Sequence, residues 1–386
     1  MVETQHAASL SLPDANYNAV MNKMIVSNLV HRPIRSLISI FAIAMEVTLI
    51  LVLVGICFGI LNDSKTRQQG IGGDAMVRPP GSSNLIGLSS APMPIKVGQI
   101  LERLPHVKAV APVLMQAATG GTLETIYGID VADYPLGAPF HYLSGGPFQG
   151  SDDMIVDDLF AESAHKKPGD TVEALNHTFH ISGVVEHGAG GRKFVPITTL
   201  QDLIGAQNKA TMFYVKLDDP KNYAAFREAV LKTPGMGQYN LTSMQEWLSL
   251  VTPERLPGFS IAINVIIGVG VCIGFIVIFQ SMYTAVMERT REIGILKSLG
   301  ASKAYIVNVI LRETVVLALA GIIVGILISL ITGVALRSRF RTLTVDIQNA
   351  WILQASIIAI VGAIIGALYP AFKAAQKDPV DALAYE

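Results

Sequence analysis

Four long stretches of the sequence are almost free of charged residues, and no other feature constrains the fold as strongly. They are Leu37–Leu61, interrupted only by Glu46, then Phe259–Met287, Thr314–Leu336 and Ile347–Phe372. Each supplies the roughly 20 apolar residues needed to cross a hydrocarbon layer about 30 Å thick. Charged residues make up only 15% of the chain, against about 25% in soluble domains. The sequence therefore predicts four transmembrane helices. A cleavable signal peptide, the alternative for the first stretch, has a shorter apolar core of roughly 7–15 residues.

Basic residues flank these stretches mainly on one side and predict the orientation. Lys23, Arg32 and Arg35 precede the first stretch, and Lys373 and Lys377 follow the fourth. The positive-inside rule then predicts a multi-pass protein of the cell (inner) membrane with both termini in the cytoplasm. The predicted segments are a cytoplasmic N-terminal segment with an interfacial helix (1–33), transmembrane helices at 34–61, 259–287, 303–336 and 347–372, an extracytoplasmic domain (62–258), a cytoplasmic helix (288–302), an external loop (337–346) and a cytoplasmic tail (373–386).

The segment between the first two transmembrane helices predicts an α+β domain. Cys57 and Cys272 both fall in predicted spans, so this domain must fold without a disulfide. Two strand–helix–strand units lie near its ends, which predicts packed split β-α-β units carrying a mostly β insertion. The predicted strands are 74–78, 107–115, 122–129, 171–175, 179–186 and 212–217, with an extended piece near 238–241, and the predicted helices are 94–104 and 222–232.

The insertion contains three further local patterns. A hairpin is predicted around Asn176-His177, and the glycine-rich turn Gly188–Gly191 follows it. His177, His180 and His187 cluster in sequence, as metal or haem ligands do, but positions 177 and 180 of a strand face opposite sides, which favours a surface or packing role. Acidic residues interpreted as the start of a solvated helix are Asp152, Asp153, Asp157 and Asp158.

Each predicted span also contains two glycines four residues apart. On a helix such a pair lies on one face and lets a neighbouring backbone approach closely, which is how helices associate in lipid. Single glycines are common in membrane helices, but a pair in every span favours a packed bundle over independent anchors. The pairs are Gly55 and Gly59, Gly270 and Gly274, Gly321 and Gly325, and Gly362 and Gly366.

The connection between the second and third spans predicts a short amphipathic helix at the membrane surface. Its charged start gives way to Ile293, Leu296 and Leu299, spaced three apart. Gly300 is placed to end this helix and Ser302 to cap the next. Composition alone leaves two interpretations open. The helix is either an interfacial linker whose arginines meet lipid headgroups or a docking element for a partner.

Residues Glu288–Ser302 closely resemble the E-R-x-R-E-I-G-I-L-x-x-L-G-A motif of the FtsX-like permease family. This family includes macrolide exporters, lipoprotein-release permeases and the FtsX division proteins. Tyr369–Leu383 resembles the family's C-terminal motif, and residues 28–36 look like its entry into the first span. Thr171–Glu186 is similar to part of the extracytoplasmic domain of the macrolide-exporter branch.

The resemblance implies a permease that works as a dimer with a cytoplasmic ABC ATPase, which binds ATP and Mg. The permease itself would be non-catalytic and hold no cofactor or metal. It would relay ATP-driven motion to the external domain, which in exporters contacts a periplasmic adaptor and, through it, an outer-membrane channel. Membrane lipid is a further partner, and nothing suggests nucleic acid. The residues that would contact the ATPase are Glu288, Arg289, Arg291, Glu292, Ile293, Ile295, Leu296, Leu299 and Gly300.

One departure from the macrolide exporters concerns the ATPase, which those proteins carry fused ahead of the first span. The sequence contains no G-x-x-x-x-G-K-[S/T] loop for phosphate, so we expect the ATPase to be a separate chain. Two functions fit this arrangement. One is export or extraction of an amphiphilic substrate; the alternative is an FtsX-like regulatory module that activates an external partner such as a cell-wall hydrolase. A membrane enzyme finds little support, because no nucleophile–base constellation is present.

Two sets of charged residues leave their roles open at this point. Glu46 falls near mid-membrane, where ionisable groups are rare and usually functional. It is either a structural group facing the bundle or a participant in coupling or substrate passage. Arg337, Arg339 and Arg341 alternate along the predicted external loop, either as a solvated face or as a site for an anionic headgroup.

Overall fold

Long apolar helices lie near both ends of the chain, and short strands and helices lie between the first and second of them. The computed structural model describes residues 33–82, 92–119, 123–253, 255 and 258–377. The helices are α1 (Pro33–Gly70), α2 (Lys96–Leu101), α3 (Asp158–Ala164), α4 (Ile197–Leu203), α5 (Tyr223–Lys232), α6 (Met244–Leu250), α7 (Phe259–Glu288), α8 (Thr290–Ser298), α9 (Lys303–Arg339) and α10 (Asn349–Gln376), with a 3-10 turn at Pro220–Asn222. The strands are β1 (Ala75–Arg78), β2 (Met93–Pro94), β3 (Val107–Thr119), β4 (Leu123–Ile129), β5 (Tyr142–Gly145), β6 (Asp153–Asp157), β7 (Thr171–Ala174), β8 (His177–Val185), β9 (Lys193–Pro196), β10 (Lys209–Ala210), β11 (Met212–Leu217) and β12 (Asn240–Ser243).

Helices α1, α7, α9 and α10 are long and apolar enough to cross a membrane, which confirms the prediction of four such helices. Their outward side chains are apolar too. On α7, Ile261, Val265, Val269 and Ile273 recur every four residues, and each is at least 50% exposed. A continuous stripe of this kind suits lipid rather than water. The predicted interfacial helix falls within residues 1–33, of which only Pro33 is described. Of the predicted cytoplasmic tail (373–386), residues 378–386 lie outside the described residues.

Contacts between residues divide the described chain into two units. The helical bundle contains the described residues up to Gly55, residues 262–334 and the described residues from Ile347 onward. The inserted domain contains the described residues of 56–261 together with 335–346. Helix α1 therefore contributes its last turns, from Ile56 onward, to the inserted domain, and the loop between α9 and α10 belongs to that domain as well.

The inserted domain is built on one mixed sheet with the strand order β12-β1-β11-β3-β4-β9-β6-β8-β5. Its first four strands are all antiparallel neighbours, joined through α2 and α5 in the split β-α-β arrangement. The core of this half packs Val97 and Leu101 of α2 and Phe226 of α5 against Phe213 and Val215 of β11. The predicted α+β domain with two strand–helix–strand units is confirmed, and these units meet in one sheet.

Strands β4 to β9 form the predicted β insertion, in which β4 pairs with β9 and β6 with β8 in parallel. The short strands β2 and β10 pair with each other in a separate two-stranded sheet. The hairpin between β7 and β8 turns on Leu175 and Asn176, both at positive φ (54° and 58°), as a two-residue type I′ turn requires. The interpretation of the acids at 152–158 as a solvated helix start is wrong. Residues 153–157 form strand β6, because its apolar centre Met154-Ile155-Val156 is fully buried. The helix begins only at Asp158, where the side chain of Asp157 accepts a hydrogen bond from Phe160 N (2.7 Å).

Candidate functional site

Helix α8 follows α7 after a single non-helical residue, Arg289. The predicted stop at Gly300 is present, since Gly300 has φ +95°. Its N–H donates to Lys297 O and that of Ala301 to Leu296 O, both at 3.0 Å, the two bonds of a Schellman motif. The predicted cap is present as well, because Ser302 Oγ accepts from Tyr305 N (3.2 Å) at the start of α9. Helix α8 is therefore a defined nine-residue element between two long helices.

Two cations fasten α8 to the bundle. Arg289 Nη1 lies 3.0 Å from Glu313 Oε2 of α9, and the two side chains are only 12% and 4% exposed. Lys297 Nζ donates to the carbonyl oxygens of Ala375 (3.1 Å) and Lys377 at the end of α10. A cation at the C-terminus of a helix satisfies carbonyls that have no partner within the helix. Helix α8 is thereby attached to α9 near its start and to α10 near its end.

The residues predicted to contact an ATPase divide between two faces of α8. Ile293 is buried and packs with Val286, Ile306 and Ala374. Leu296 is half-buried, and Arg289 is held by Glu313. The exposed members are Glu288, Arg291, Glu292, Ile295, Leu299 and Gly300.

Positions 292, 295 and 299 lie within about 60° of one another around a helix of 3.6 residues per turn, and the exposed Glu288 at the end of α7 precedes them. They form one exposed stripe, charged at its start and apolar at its end. Ile295 is 44% exposed and Leu299 79% exposed, so the apolar part is not covered by the bundle. The stripe is the part of α8 available for a partner.

A groove of about 310 Å³ runs along α8 between the end of α7 and the start of α9. Met282, Ile306 and Val309 give it apolar walls, and the Arg289–Glu313 pair lies at its edge. Sequence reasoning missed Glu313 and Lys297 as members of this site. The available signal was their position, since each is a charged residue next to an apolar stretch rather than within it.

Glu46 lies in the interface between α1 and α7, which pack antiparallel. Ser39 and Ser281 share a hydrogen bond of 2.6 Å in this interface, and two turns further along α1 the carboxyl group of Glu46 covers the Cα of Gly274. Glu46 is only 5% exposed, and among the described residues no hydrogen-bond partner reaches its Oε1. A Cβ built at Gly274 would collide with this carboxyl group, so the glycine provides the space that Glu46 occupies.

The other predicted glycine pairs are placed in three different ways. Gly321 and Gly325 of α9 lie against α1, where a Cβ on Gly325 would come within 2.8 Å of Ala44 O. Gly366 of α10 lies against α7, where a Cβ on Gly366 would come within 3.2 Å of Phe275 O. The remaining members make no equally tight approach to another helix of the bundle: Gly270 faces Ile50 at 3.6 Å, Gly362 has nothing within 4 Å, Gly55 is buried, and Gly59 lies in the inserted domain against Thr344 O.

The histidines of the insertion have separate partners. His177 Nε2 lies 2.9 Å from Asp152 and His187 Nδ1 lies 3.0 Å from Asp158, while His180 is exposed. Within the described part of the chain, no group of three His, Cys, Asp or Glu side chains could hold a metal ion. Arg337 and Arg339 belong to the last turn of α9 rather than to an extended loop, because α9 runs to Arg339.

Models of two known domains match the chain. A MacB-like periplasmic core domain matches residues 36–233, about half of the sequence, and an FtsX-like permease C-terminal domain matches residues 264–379. The chain is an FtsX-like permease with a MacB-like periplasmic core domain. The first match covers α1 and most of the inserted domain, and the second covers α7 to α10, including the whole of α8.

Individual relatives agree with this family. The chain is 26% identical over 279 residues to the macrolide export ATP-binding/permease protein MacB of Nitrobacter winogradskyi, which covers 69% of this chain and 43% of the relative. It is 40% identical over 124 residues to the uncharacterized ABC transporter permease YknZ of Bacillus subtilis, covering 32% and 31%. The chain thus spans less than half the length of these relatives. Among solved structures, the periplasmic region of MacB from Actinobacillus actinomycetemcomitans matches with a TM-score of 0.36 and 18% identity, over 46% of this chain and 92% of that one.

Proposed function

We propose that this permease belongs to an ABC transporter of the macrolide-exporter or lipoprotein-release type and relays the motion of an ATPase to the inserted domain. The observation that carries this function is the two-faced environment of α8. One face is fixed to α9 and α10 through Arg289 and Lys297, while the other presents Ile295 and Leu299 to the outside. An exposed apolar patch beside charged side chains is typical of a surface that binds another protein.

The two faces of α8 have different tasks in this mechanism. The exposed stripe binds the ATPase, with the charges at Glu288, Arg291 and Glu292 at one end and the apolar residues at the other. Arg289 and Lys297 do not contact the ATPase; they pass a displacement of α8 on to the helices that they hold. Such a short helix can transmit motion only if it does not detach from the bundle when it is pulled.

The partners follow from the same proposal. The ATPase binds ATP and Mg, and this chain is its non-catalytic permease. In this proposal the ATPase is supplied by a separate polypeptide. The permease acts as a dimer in a bacterial inner membrane, with α8 and both termini on the cytoplasmic side. A periplasmic adaptor and an outer-membrane channel complete the path in the exporter arrangement.

The export function is favoured over the regulatory alternative by the inserted domain. The MacB-like core model covers residues 36–233 of this chain, and the relatives of the chain include proteins named as exporters of macrolides and of pyoverdine. An amphiphilic substrate is therefore the class that we propose for extraction or export.

Co-purification of the permease with an ABC ATPase from the same organism tests the proposal. We expect Leu299→Asp and Ile295→Asp each to abolish co-purification and the stimulation of ATPase activity, because each puts a charge into an apolar contact without disturbing the bundle. Leu231→Asp on α5 is the matched control, since Leu231 is 48% exposed against 44% for Ile295. Unchanged ATPase binding by both α8 variants would refute the docking function of this helix.

A further inference from the structure

A single guanidinium group joins three segments of the inserted domain that are distant in sequence. Arg192 Nη1 lies 2.9 Å from Asp157 Oδ2, and its Nη2 lies 3.2 Å from Asp63 Oδ2 and 3.3 Å from Thr342 O. Arg192 is 18% exposed, Asp63 13% and Asp157 1%. The network is thus largely shielded from water, where charged hydrogen bonds are stronger than at a surface.

The three contacts of Arg192 lie on different parts of the polypeptide. Asp63 belongs to the end of α1, the helix that begins in the bundle. Asp157 ends strand β6 in the sheet and caps α3. Thr342 lies in the loop that connects α9 to α10. One side chain therefore connects the sheet with two other segments, the end of α1 and the α9–α10 loop. Both of these segments continue into membrane-crossing helices, and the sheet lies between them in the sequence.

The glycine-rich turn next to Arg192 receives the end of α1. Gly190 N donates to Arg67 O (2.9 Å), and Arg67 Nη1 donates back to Gly190 O (3.2 Å). A Cβ on Gly70 would collide with Gly188 O, so the glycine at position 70 is needed for this close approach. In the sequence this turn is only a run of glycines. In the structure it lies against the end of α1.

Apolar packing alone already holds α1 on the sheet. Leu61 and Ile71 are buried in one cluster with Tyr134 and Tyr214. A buried ion pair adds little net stability to such an interface, because desolvation of the charges offsets their attraction. What it adds is geometry, since the flat fork of an arginine fixes the direction and distance of each partner. Burial raises the pKa of Asp157 and the positive charge of Arg192 opposes that rise, so each group depends on the other.

We propose that Arg192 is a positioning residue that makes the end of α1, the α9–α10 loop and the sheet of the inserted domain move as one body during the ATPase cycle. This role rests on the proposed function, because it concerns how motion that enters at α8 leaves the membrane helices. It assigns to the glycine-rich turn and Arg192 the task of a rigid connection between these three segments.

The full-length permease with its ATPase in lipid nanodiscs provides the test, and hydrogen–deuterium exchange measured with and without ATP and vanadate is the readout. Arg192→Gln removes all three contacts. Asp63→Asn removes the charge that pairs Asp63 of α1 with Arg192 (3.2 Å) and with Arg67 of the same helix (3.0 Å). It leaves the buried Arg192–Asp157 pair intact, so we expect this variant to keep the fold of the sheet. Lys216→Gln is the matched control, because Lys216 and Asp74 form an ion pair of 3.2 Å that stays within the sheet region.

In the wild type and in Lys216→Gln we expect trapping of the nucleotide to change amide exchange both in α1 and in β6 to β9. In Asp63→Asn and Arg192→Gln we expect the change in β6 to β9 to be lost, while ATPase co-purification and basal hydrolysis stay at the wild-type level. A nucleotide response in β6 to β9 that survives in Asp63→Asn overturns the role of Arg192. Failure of the proposed function gives a different result, since the wild type itself would then bind no ATPase and show no nucleotide response.

Discussion

Arg289 is the residue whose assignment differs most between sequence and structure, and a double-mutant cycle can decide its role. The family motif places it among the ATPase contacts, whereas the structure pairs it with Glu313 at 3.0 Å. Removing one partner of a buried ion pair costs about 3–5 kcal/mol, because the other charge stays buried alone. With Arg289 at 12% exposure, we expect Arg289→Gln to cost about 3 kcal/mol, the lower end of that range.

Replacing both partners should recover most of this loss. Exchange of a buried ion pair for apolar side chains of similar volume is often neutral or stabilising, so Arg289→Met combined with Glu313→Met should approach wild-type stability. The thermal unfolding of the purified permease in detergent is measured for the wild type, Arg289→Met, Glu313→Met and the double variant, which form the cycle, and co-purification with the ATPase is measured on the same samples. If Arg289 only anchors α8, ATPase binding returns in the double variant together with stability.

The opposite pattern would refute this reasoning. An Arg289→Gln variant as stable as the wild type, which loses the ATPase and does not regain it when Glu313 is also replaced, would make Arg289 a direct contact. Leu299→Asp serves as the comparison, because Leu299 is 79% exposed and therefore has little buried surface to lose. Its loss of ATPase binding should come without any change in thermal stability.

Two further predictions concern other parts of the chain. Gly274→Ala should lower thermal stability by about 1–3 kcal/mol through overpacking against the Glu46 carboxyl group, and Glu46→Ala in the same chain should restore the stability. Glu46→Gln keeps the shape of the side chain, so this variant should assemble normally but alter ATPase activity. Unchanged ATPase activity would leave Glu46 with a packing role only. Hydrogen bonds from Asn222 and His106 lower the pKa of Asp218 to about 2, so Asp218→Asn should lower the melting temperature at neutral pH. The difference from the wild type should vanish as the pH falls from 3.8 towards 2, because the carboxylate is then protonated. A difference independent of pH would contradict a stabilising role of the Asp218 charge.

The spans and many strands could be predicted because their signals are local. Strand β11 was placed at 212–217 from an apolar run alone, and it has those limits in the structure. The uncharged stretches gave the membrane helices for the same reason. Strands β5, β6 and β9 were missed because each is short and begins or ends in polar residues, so that only pairing with neighbours makes them strands.

The connections within the candidate site could not be predicted, because they join residues far apart in the chain. Arg192 meets partners 129 and 150 residues away, and Lys297 meets a carbonyl 78 residues away. No periodicity reports such contacts. The different exposure of Ile293 and Leu299 has a geometric cause: residues three apart drift by about 60° per step around a helix of 3.6 residues per turn, so these two side chains point to different sides.

The motif that identifies this family is therefore two patterns on one short helix. Inward positions such as Ile293 and Lys297 attach α8 to the bundle, and outward positions such as Ile295 and Leu299 leave an apolar surface open. A helix that only docked would need no cation bound to the carbonyl groups of α10, and one that only linked two spans would not expose a leucine at its end. Both properties together are what a relay requires, because force has to enter through one face and leave through the other. Substitutions on the inward face should therefore lower stability and be rescued by a compensating change, whereas those on the outward face should lower ATPase affinity alone.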